Sequence, residues 1–271
     1  AGLAYQINPK SPLVDAYNAA GLVGGRVSRL PIPGFPPVTP APGLAAFADR
    51  LAELPLMYQP ATRWNYSCAI DLLGRVIEVV SGTPFEAFLK QRIFDPCGMT
   101  STFMQVPASE AHRLTDNYGI VGGNAFPIDP AANSVFLDAP TMPAGGGDLV
   151  SSPKDYDRFL RMLLGYGRLD GKFVMSEEAV RVGTSNLIPE TVDLTGSWME
   201  GQGHGAGGRS TGATFGWGGA AGTLGAVDFD LGLRSCLWTQ YMPSEAYPIR
   251  DEFLAAVESD MAAMRAKKRA A

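Results

Sequence analysis

Trp64-Asn65-Tyr66-Ser67-Cys68-Ala69-Ile70-Asp71-Leu72-Leu73-Gly74-Arg75-Val76-Ile77-Glu78-Val79-Val80 is the stretch from which the fold is read. Its apolar residues at 69, 72, 73, 76, 77 and 80 recur at helical spacing, so an amphipathic helix follows Tyr66-Ser67-Cys68. Gly82 stops that helix in the position glycine favours. Thr83-Pro84-Phe85-Glu86 then reads as an N-cap, a proline at the first helical position and a glutamate at the third. The second helix runs to about Phe94, closed by Pro96 and Gly98. Upstream, Leu44 to Leu54 places Leu44, Phe47, Ala48 and Leu51 on one face, and Pro55 and Pro60 end it. Residues 31–43 hold so many prolines that neither helix nor central strand can form there, and they read as an irregular surface crossing.

Downstream the spacing changes. Residues 105–150 are loop-rich and end in Gly145-Gly146-Gly147. Ser152-Pro153-Lys154-Asp155 caps a helix from 153 to about 164 that turns Tyr156, Phe159, Leu160 and Leu163 inward, and a shorter helix starts at Ser176. After residue 200, Gly203–Gly207 and Thr214–Trp217 flank a turn-like Gly208-Arg209-Ser210-Thr211-Gly212. Thr223–Phe229 and Leu233–Tyr241 read as strands separated by Asp230-Leu231-Gly232. Connections this short cannot cross over, so the sheet is antiparallel. A last helix covers about 248–266. The pattern predicts an α+β protein, an antiparallel sheet flanked by helices plus a mainly helical region. Residues 1–200 form the helical and loop region carrying Tyr-Ser-x, and 201–271 the strands and C-terminal helix.

Composition narrows the function. The 271 residues include 22 Lys and Arg against 27 Asp and Glu, and 46% are hydrophobic, enough to bury a core without disulfide or metal staples. A net charge of −5 with no basic stripe excludes nucleic acid as the main partner. The basic cluster Arg265, Lys267, Lys268 and Arg269 reads as a solvated last turn favoured by the helix dipole. Cys68, Cys97 and Cys236 form no C-x-x-C and no Cys/His cluster, so neither metal nor cofactor is expected. The sparse cysteines fit a reducing, cytoplasmic setting. No apolar run is long enough to span a bilayer, and Ala1-Gly2-Leu3-Ala4-Tyr5-Gln6 lacks the charged and apolar regions of a signal peptide.

Three familiar motifs are set aside on context. Gly203-His204-Gly205-Ala206-Gly207-Gly208 matches G-x-G-x-x-G, but a turn rather than a helix follows it. Gly208-Arg209-Ser210-Thr211-Gly212 matches the nucleophile elbow G-x-S-x-G, yet His112 and His204 both precede it, and that triad needs a downstream histidine. His204 is therefore a packed or solvated side chain rather than a base. Ser151-Ser152-Pro153-Lys154 matches S-x-x-K, but with Ser152 as the cap, Ser151 lies outside the helix that carries Lys154.

What remains is Tyr66, a phenol that would accept a proton if nearby cations lowered its pKa. With it stands Phe215-Gly216-Trp217-Gly218-Gly219-Ala220-Ala221-Gly222, a glycine-rich strand end suited to offering a free N–H to an oxyanion. Together with Ala1–Tyr5, Leu56–Ser67, Asp71–Glu78, Ile93–Met99 and Gly145–Ser151, taken in order, these residues resemble the serine β-lactamase and penicillin-binding-protein superfamily. The likeness is closest to the class C β-lactamase-like esterases, the family VIII carboxylesterases, and spans essentially the whole chain. It implies that Tyr66 takes the nucleophile's proton and returns it to the leaving group, and that Ala220 supplies an oxyanion-hole N–H. Ser67 and Cys68 complete the Tyr-Ser-x loop, and Trp217, Gly218 and Gly219 border the substrate. Cys68, where lactamases often carry Asn, and Trp217-Gly218-Gly219, where they carry Lys-Thr-Gly, point away from strong lactam hydrolysis.

The family's Ser-x-x-Lys nucleophile lies before the segment matched by Ala1-Gly2-Leu3. The resemblance therefore implies an N-terminal segment or companion chain that brings the serine, the lysine, the central helix and the first strands of the sheet, and whose absence leaves an apolar trench. The expected activity is that of a serine hydrolase cleaving small carboxylic esters through an acyl-enzyme. The alternatives are a non-catalytic binding protein of the same fold, and a hydrolase or acyltransferase acting on β-lactams or D-amino-acid peptides.

Overall fold

The computed structural model describes residues 1–32 and 37–270; Pro33-Gly34-Phe35-Pro36, in the expected surface crossing, lies outside the described residues. The chain forms two compact units, each made of three stretches: Ala1–Leu114, Ala132–Ser151 and Ile188–Gly201 in the first, Thr115–Ala131, Ser152–Leu187 and Gln202–Ala271 in the second. The boundary expected near residue 200 is one crossing between them. Residues 115–131 and 152–187 join the later unit, because their strands and helices pair and pack with its strands.

The first unit holds α1 (Val14–Ala19), α2 (Leu44–Ala52), α3 (Ala69–Ser81), α4 (Phe85–Leu89), a π turn over Lys90–Phe94 and α5 (Asp95–Cys97). Leu44, Phe47 and Leu51 of α2 are buried as their spacing predicts. They share a core with Tyr17, Leu22, Cys68, Phe85 and Met104, where each large apolar side chain contributes about 1.5–3 kcal/mol. Gly74 lets α3 lie close: a Cβ there would stand 3.2 Å from Leu44 and 3.4 Å from Phe85. The helix is found as expected, but only one of its apolar edges is covered. Ala69, Leu72 and Ile77 pack on the core, whereas Ile70, Leu73, Val76, Val79 and Val80 are exposed, Val80 to 82%. Periodicity names a helix without saying which edge of a broad apolar face meets the core. The expected cap at Thr83 is corrected. Pro84 is the N-cap, and Glu78 Oε1, reaching from the preceding helix, accepts the Phe85 N–H at 3.2 Å.

The second unit begins with a hairpin inside the stretch expected to be loop, β1 (Asn117–Val121) and β2 (Asn124–Asp129), turned through Gly122-Gly123 with both φ positive. Helix α6 (Pro153–Leu164) starts as predicted, with Ser152 Oγ accepting from the Asp155 N–H at 3.2 Å. A small hairpin of β3 (Arg168–Leu169) and β4 (Lys172–Phe173) leads to α7 (Glu177–Thr184), capped by Ser176. Five antiparallel strands then pair in chain order: β5 (Gly203–His204), β6 (Arg209–Thr211), β7 (Thr214–Gly218), β8 (Leu224–Asp228) and β9 (Leu233–Leu237).

Several sequence expectations are corrected within this unit. Gly208–Gly212 is not one turn. It contains β6, whose buried Ser210 donates to the Thr184 carbonyl at 2.8 Å, and the chain reverses at Gly212-Ala213. The long strand expected over Leu233–Tyr241 stops at Leu237, and β10 (Tyr241–Met242) pairs in parallel with β1. The final helix α8 (Ile249–Ala270) ends in a turn that is not simply solvated: Arg265 Nη2 lies 2.7 Å from the buried Asp228 carboxylate, and Lys268 Nζ donates to the Asp230 carbonyl at 2.7 Å.

Candidate active site

In the first unit Tyr66 lies just before α3, half-buried, in a loop tied down on both sides. Asn65 Nδ2 donates to the Leu3 carbonyl at 2.8 Å, and the Cys68 N–H donates to the Ala4 carbonyl at 3.1 Å. The segment ahead of it is held by a β-bridge between Arg63 and Asp193, with the Asp193 N–H on the Thr62 carbonyl at 2.9 Å. That bridge delivers the turn after Asp193, in which Glu200 accepts the Gly196 N–H at 2.9 Å and Met199 is wholly buried. Buried Met199 leaves its neighbour Trp198 outside, 61% exposed, with its ring centroid 5.1 Å from that of Tyr66. Tyr5 meets the other side of Tyr66 edge-on at 5.4 Å, and Trp64 lies 6.4 Å from Trp198. Such aromatic pairs contribute about 0.5–1.5 kcal/mol each beyond burial, so the phenol is held by its ring.

The electrostatics of Tyr66 run opposite to the lowering that neighbouring cations would give. Burial, and then the Asp71 carboxylate, push its pKa above the ordinary tyrosine value. Ser67 lies just before Cys68, the N-cap of α3, and its Oγ accepts from the Ala69 N–H at 3.3 Å. Cys68, expected on the substrate side, is corrected: it is wholly buried among core side chains, and burial pushes its thiol up to about 12. It offers a ligand neither surface nor thiolate.

Trp217, Gly218, Gly219 and Ala220 lie in the second unit, at the end of β7 and in the turn to β8. The Gly219 N–H donates to the Thr223 carbonyl at 2.8 Å, and Arg250 Nη2 donates to the Gly219 and Thr223 carbonyls at 2.9 and 3.2 Å. The guanidinium thus pins the turn from outside. A Cβ on Gly219 would collide with Thr223 Oγ1, and one on Gly218 would fall 2.7 Å from Arg250 Nη2, so a side chain at 218 would displace the guanidinium that holds the turn. Ala220 is exposed at the tip, and among the described residues its N–H meets no protein acceptor. Trp217 packs edge-on with His204 at 5.5 Å and beneath the Arg209 guanidinium at 5.5 Å. Burial lowers the His204 pKa, in keeping with a packed side chain.

Ser151, rejected as a nucleophile, has its hydroxyl 2.8 Å from that of Thr102, and Lys154 is exposed on α6. No cluster of three or more His, Cys, Asp or Glu side chains among the described residues could hold a metal ion, and no helix among them is long and apolar enough to cross a membrane. Two site residues escaped the sequence reading. Trp198 lies in Ser197-Trp198-Met199-Glu200, outside every element the sequence predicts, and Asp71 is an acid set within an apolar helix. An exposed tryptophan beside a buried methionine and a lone carboxylate among apolar neighbours are the signals they left.

A family model described as Beta-lactamase matches residues 1–258. The chain belongs to the Beta-lactamase family. With that assignment it is a member of the serine β-lactamase and penicillin-binding-protein superfamily, a fold of antiparallel sheet and helices whose members include hydrolases. Protein Rv1367c of Mycobacterium tuberculosis is 35% identical over 181 residues, 67% of this chain and 40% of that protein. Esterase EstB of Burkholderia gladioli is 28% identical over 225 residues, 70% of this chain and 53% of the esterase. This β-lactamase-family chain therefore spans about half, or less, of the length of these relatives. Among solved structures, EstCE1, a hydrolase with promiscuous acyltransferase activity, superposes with a TM-score of 0.70 at 21% identity, covering 93% of this chain and 68% of that one, which shows the shared fold.

Proposed function

We propose that this chain is part of a serine hydrolase that cleaves small carboxylic esters through an acyl-enzyme, with the nucleophile supplied by a Ser-x-x-Lys segment outside these residues. The observation that carries the reading is the Tyr66 phenol, held by Tyr5 and Trp198 at the head of α3 in a chain of this family. The serine hydroxyl attacks the ester carbonyl and loses its proton to the lysine and Tyr66 pair, in which the lysine of the outside segment would supply the cation that offsets the upward push of burial and Asp71 on the phenol. The proton passes to the departing alcohol as the C–O bond breaks, and water then releases the acid. Supporting the oxyanion that forms on the way is the role the family resemblance offers the Ala220 N–H, which meets no protein acceptor among the described residues and sits in a turn held by Arg250. Trp217, standing where a lactam carboxylate would meet a lysine cation, favours neutral esters, and the esterase named among the relatives is consistent with that preference.

The test uses the full-length protein. A fluorophosphonate probe labels it, p-nitrophenyl acetate is turned over, and a chromogenic cephalosporin is hydrolysed far more slowly. Tyr66→Phe keeps the ring contacts and removes only the hydroxyl, so kcat falls by about 10²–10⁴. An unlabelled, inactive wild type overturns the enzyme reading, faster cephalosporin hydrolysis overturns the ester preference, and an unchanged kcat in Tyr66→Phe overturns the role of the phenol.

A further inference from the structure

Asp71 sits in the first turn of α3, five residues after Tyr66, with 1% of its surface exposed. A carboxylate taken out of water needs donors, and here they are main-chain groups: the Gly146 N–H at 2.8 Å, joined by that of Gly145. Glycines close around it. A Cβ on Gly24 would collide with the Tyr5 hydroxyl and lie 2.7 Å from Asp71 Oδ2; one on Gly145 would collide with the Ile70 carbonyl oxygen. The Tyr5 hydroxyl donates to the Gly24 carbonyl at 3.2 Å, and its ring is the one that meets Tyr66. Asp148, in the same glycine segment, is satisfied differently: it accepts from the Arg26 and Ala144 main-chain N–H groups and pairs with the Arg26 guanidinium at 3.1 Å.

We propose that Asp71 is a positioning residue for Tyr66: its buried carboxylate pins the Gly145–Gly146 main chain to the first turn of α3 and, through the Tyr5 socket, fixes where the Tyr66 phenol sits. The functional side of this inference rests on the role proposed for Tyr66. The socket itself does not. One carboxylate holds the helix start to the glycine segment, the Tyr5 hydroxyl is held to the Gly24 carbonyl beside it, and the Tyr66 loop is tied to the Ala4 carbonyl through the Cys68 N–H. The ionisable groups facing Asp71 are Tyr5 from the N-terminal segment, Tyr66 and Cys68 from its own loop, and Asp148 from the glycine segment, whose charge Arg26 answers. Burial, then Asp148, raise the Asp71 carboxyl to about 6 against the pull of the two glycine N–H groups. Its charge in turn raises Tyr66, so the carboxylate governs both the place of the phenol and its proton affinity.

The test needs no turnover. In full-length protein carrying 13Cζ-tyrosine, the Tyr66 resonance is assigned by its loss in Tyr66→Phe and titrated. Asp71→Asn keeps a carbonyl oxygen for Gly146 but removes the charge, so the Tyr66 midpoint moves to lower pH while the Gly146 amide stays protected from hydrogen exchange. Asp71→Leu removes the acceptor, and the Gly145 and Gly146 amides exchange at least about tenfold faster. In the active enzyme, an inflection of kcat/KM near the Asp71 midpoint disappears in Asp71→Asn. An unmoved Tyr66 titration in Asp71→Asn, or unchanged Gly146 exchange in Asp71→Leu, overturns the proposal. Should the leucine variant not fold, the asparagine titration alone decides. A wild type without ester turnover overturns the proposed function instead, and leaves the titration and exchange results to decide the socket.

Discussion

Replacing Asp71 by asparagine changes how stability depends on pH, and the structure gives both the sign and the size. The carboxyl titrates at about 6 in the folded chain against 3.8 when free, because burial outweighs the help of the Gly145 and Gly146 N–H groups. A folded pKa above the unfolded one means that the contribution of this group is fully present below about pH 4 and is lost as the pH rises through 6. At about 1.4 kcal/mol per unit, the loss comes to about 3 kcal/mol by pH 8. An asparagine side chain has nothing to ionise and still presents an oxygen to Gly146, so the stability of Asp71→Asn relative to wild type climbs across the same window. For domains of this size about 3 kcal/mol corresponds to roughly 6–12 °C in Tm. Thermal melts of the full-length proteins at half-unit steps from pH 4 to 8 read this directly. Two Tm curves that stay parallel across the window would refute the reasoning.

Other substitutions probe the remaining parts. Gly225→Ala drives a Cβ into the Tyr156 ring, so it is expected to cost about 1–3 kcal/mol in urea unfolding, part of which a second change, Tyr156→Leu, restores. Arg265→Met strips a cation from buried Asp228, which keeps the Thr214 hydroxyl and the Leu231 N–H; because Arg265 is 46% exposed, the loss is about 1–2 kcal/mol rather than that of a fully buried pair, and it shrinks with added salt. Trp198→Ala removes the indole that helps hold the Tyr66 ring and is expected to lower kcat for acetyl esters by about tenfold, as read from steady-state kinetics on an ester panel; an unchanged kcat would show that Trp198 does not hold the phenol.

Elements whose signals are local were legible. The Ser152 and Ser176 caps, the Gly82 stop and the antiparallel run of β7, β8 and β9 all follow from side-chain chemistry or spacing within a few residues, whereas β6 does not. What escaped depends on distant partners. The hairpin of β1 and β2 does carry a local turn signal in Gly122-Gly123, but Gly119 and Pro127 interrupt its short strands and its edge is completed only by Tyr241–Met242, far downstream. Thr83 has the right residue types for a cap, but Glu78 reaches across from the preceding helix and takes the Phe85 N–H first. In the candidate site, Tyr66 and Ala220 were named from a resemblance. Cys68 was misplaced because the same backbone that exposes Tyr66 turns the residue two positions on into the core. Trp198 gains its meaning from Arg63 and Tyr66, and Asp71 from Gly146, far away in sequence.

The parallel pairing of β10 with β1 also sets a timetable. Tyr118 meets Tyr241 and donates its N–H to the Gln240 carbonyl at 3.0 Å, so the edge of that small sheet stays open until Tyr241 and Met242 have been made. At about 5–20 residues per second the ribosome leaves the hairpin waiting for roughly 6–25 s. During that interval its unpaired edge is a template for any passing strand, and the two glycines at its tip offer no side chain to deter one. Yield from rapid expression should therefore be limited at this step more than by the helices, which close on neighbours already synthesised.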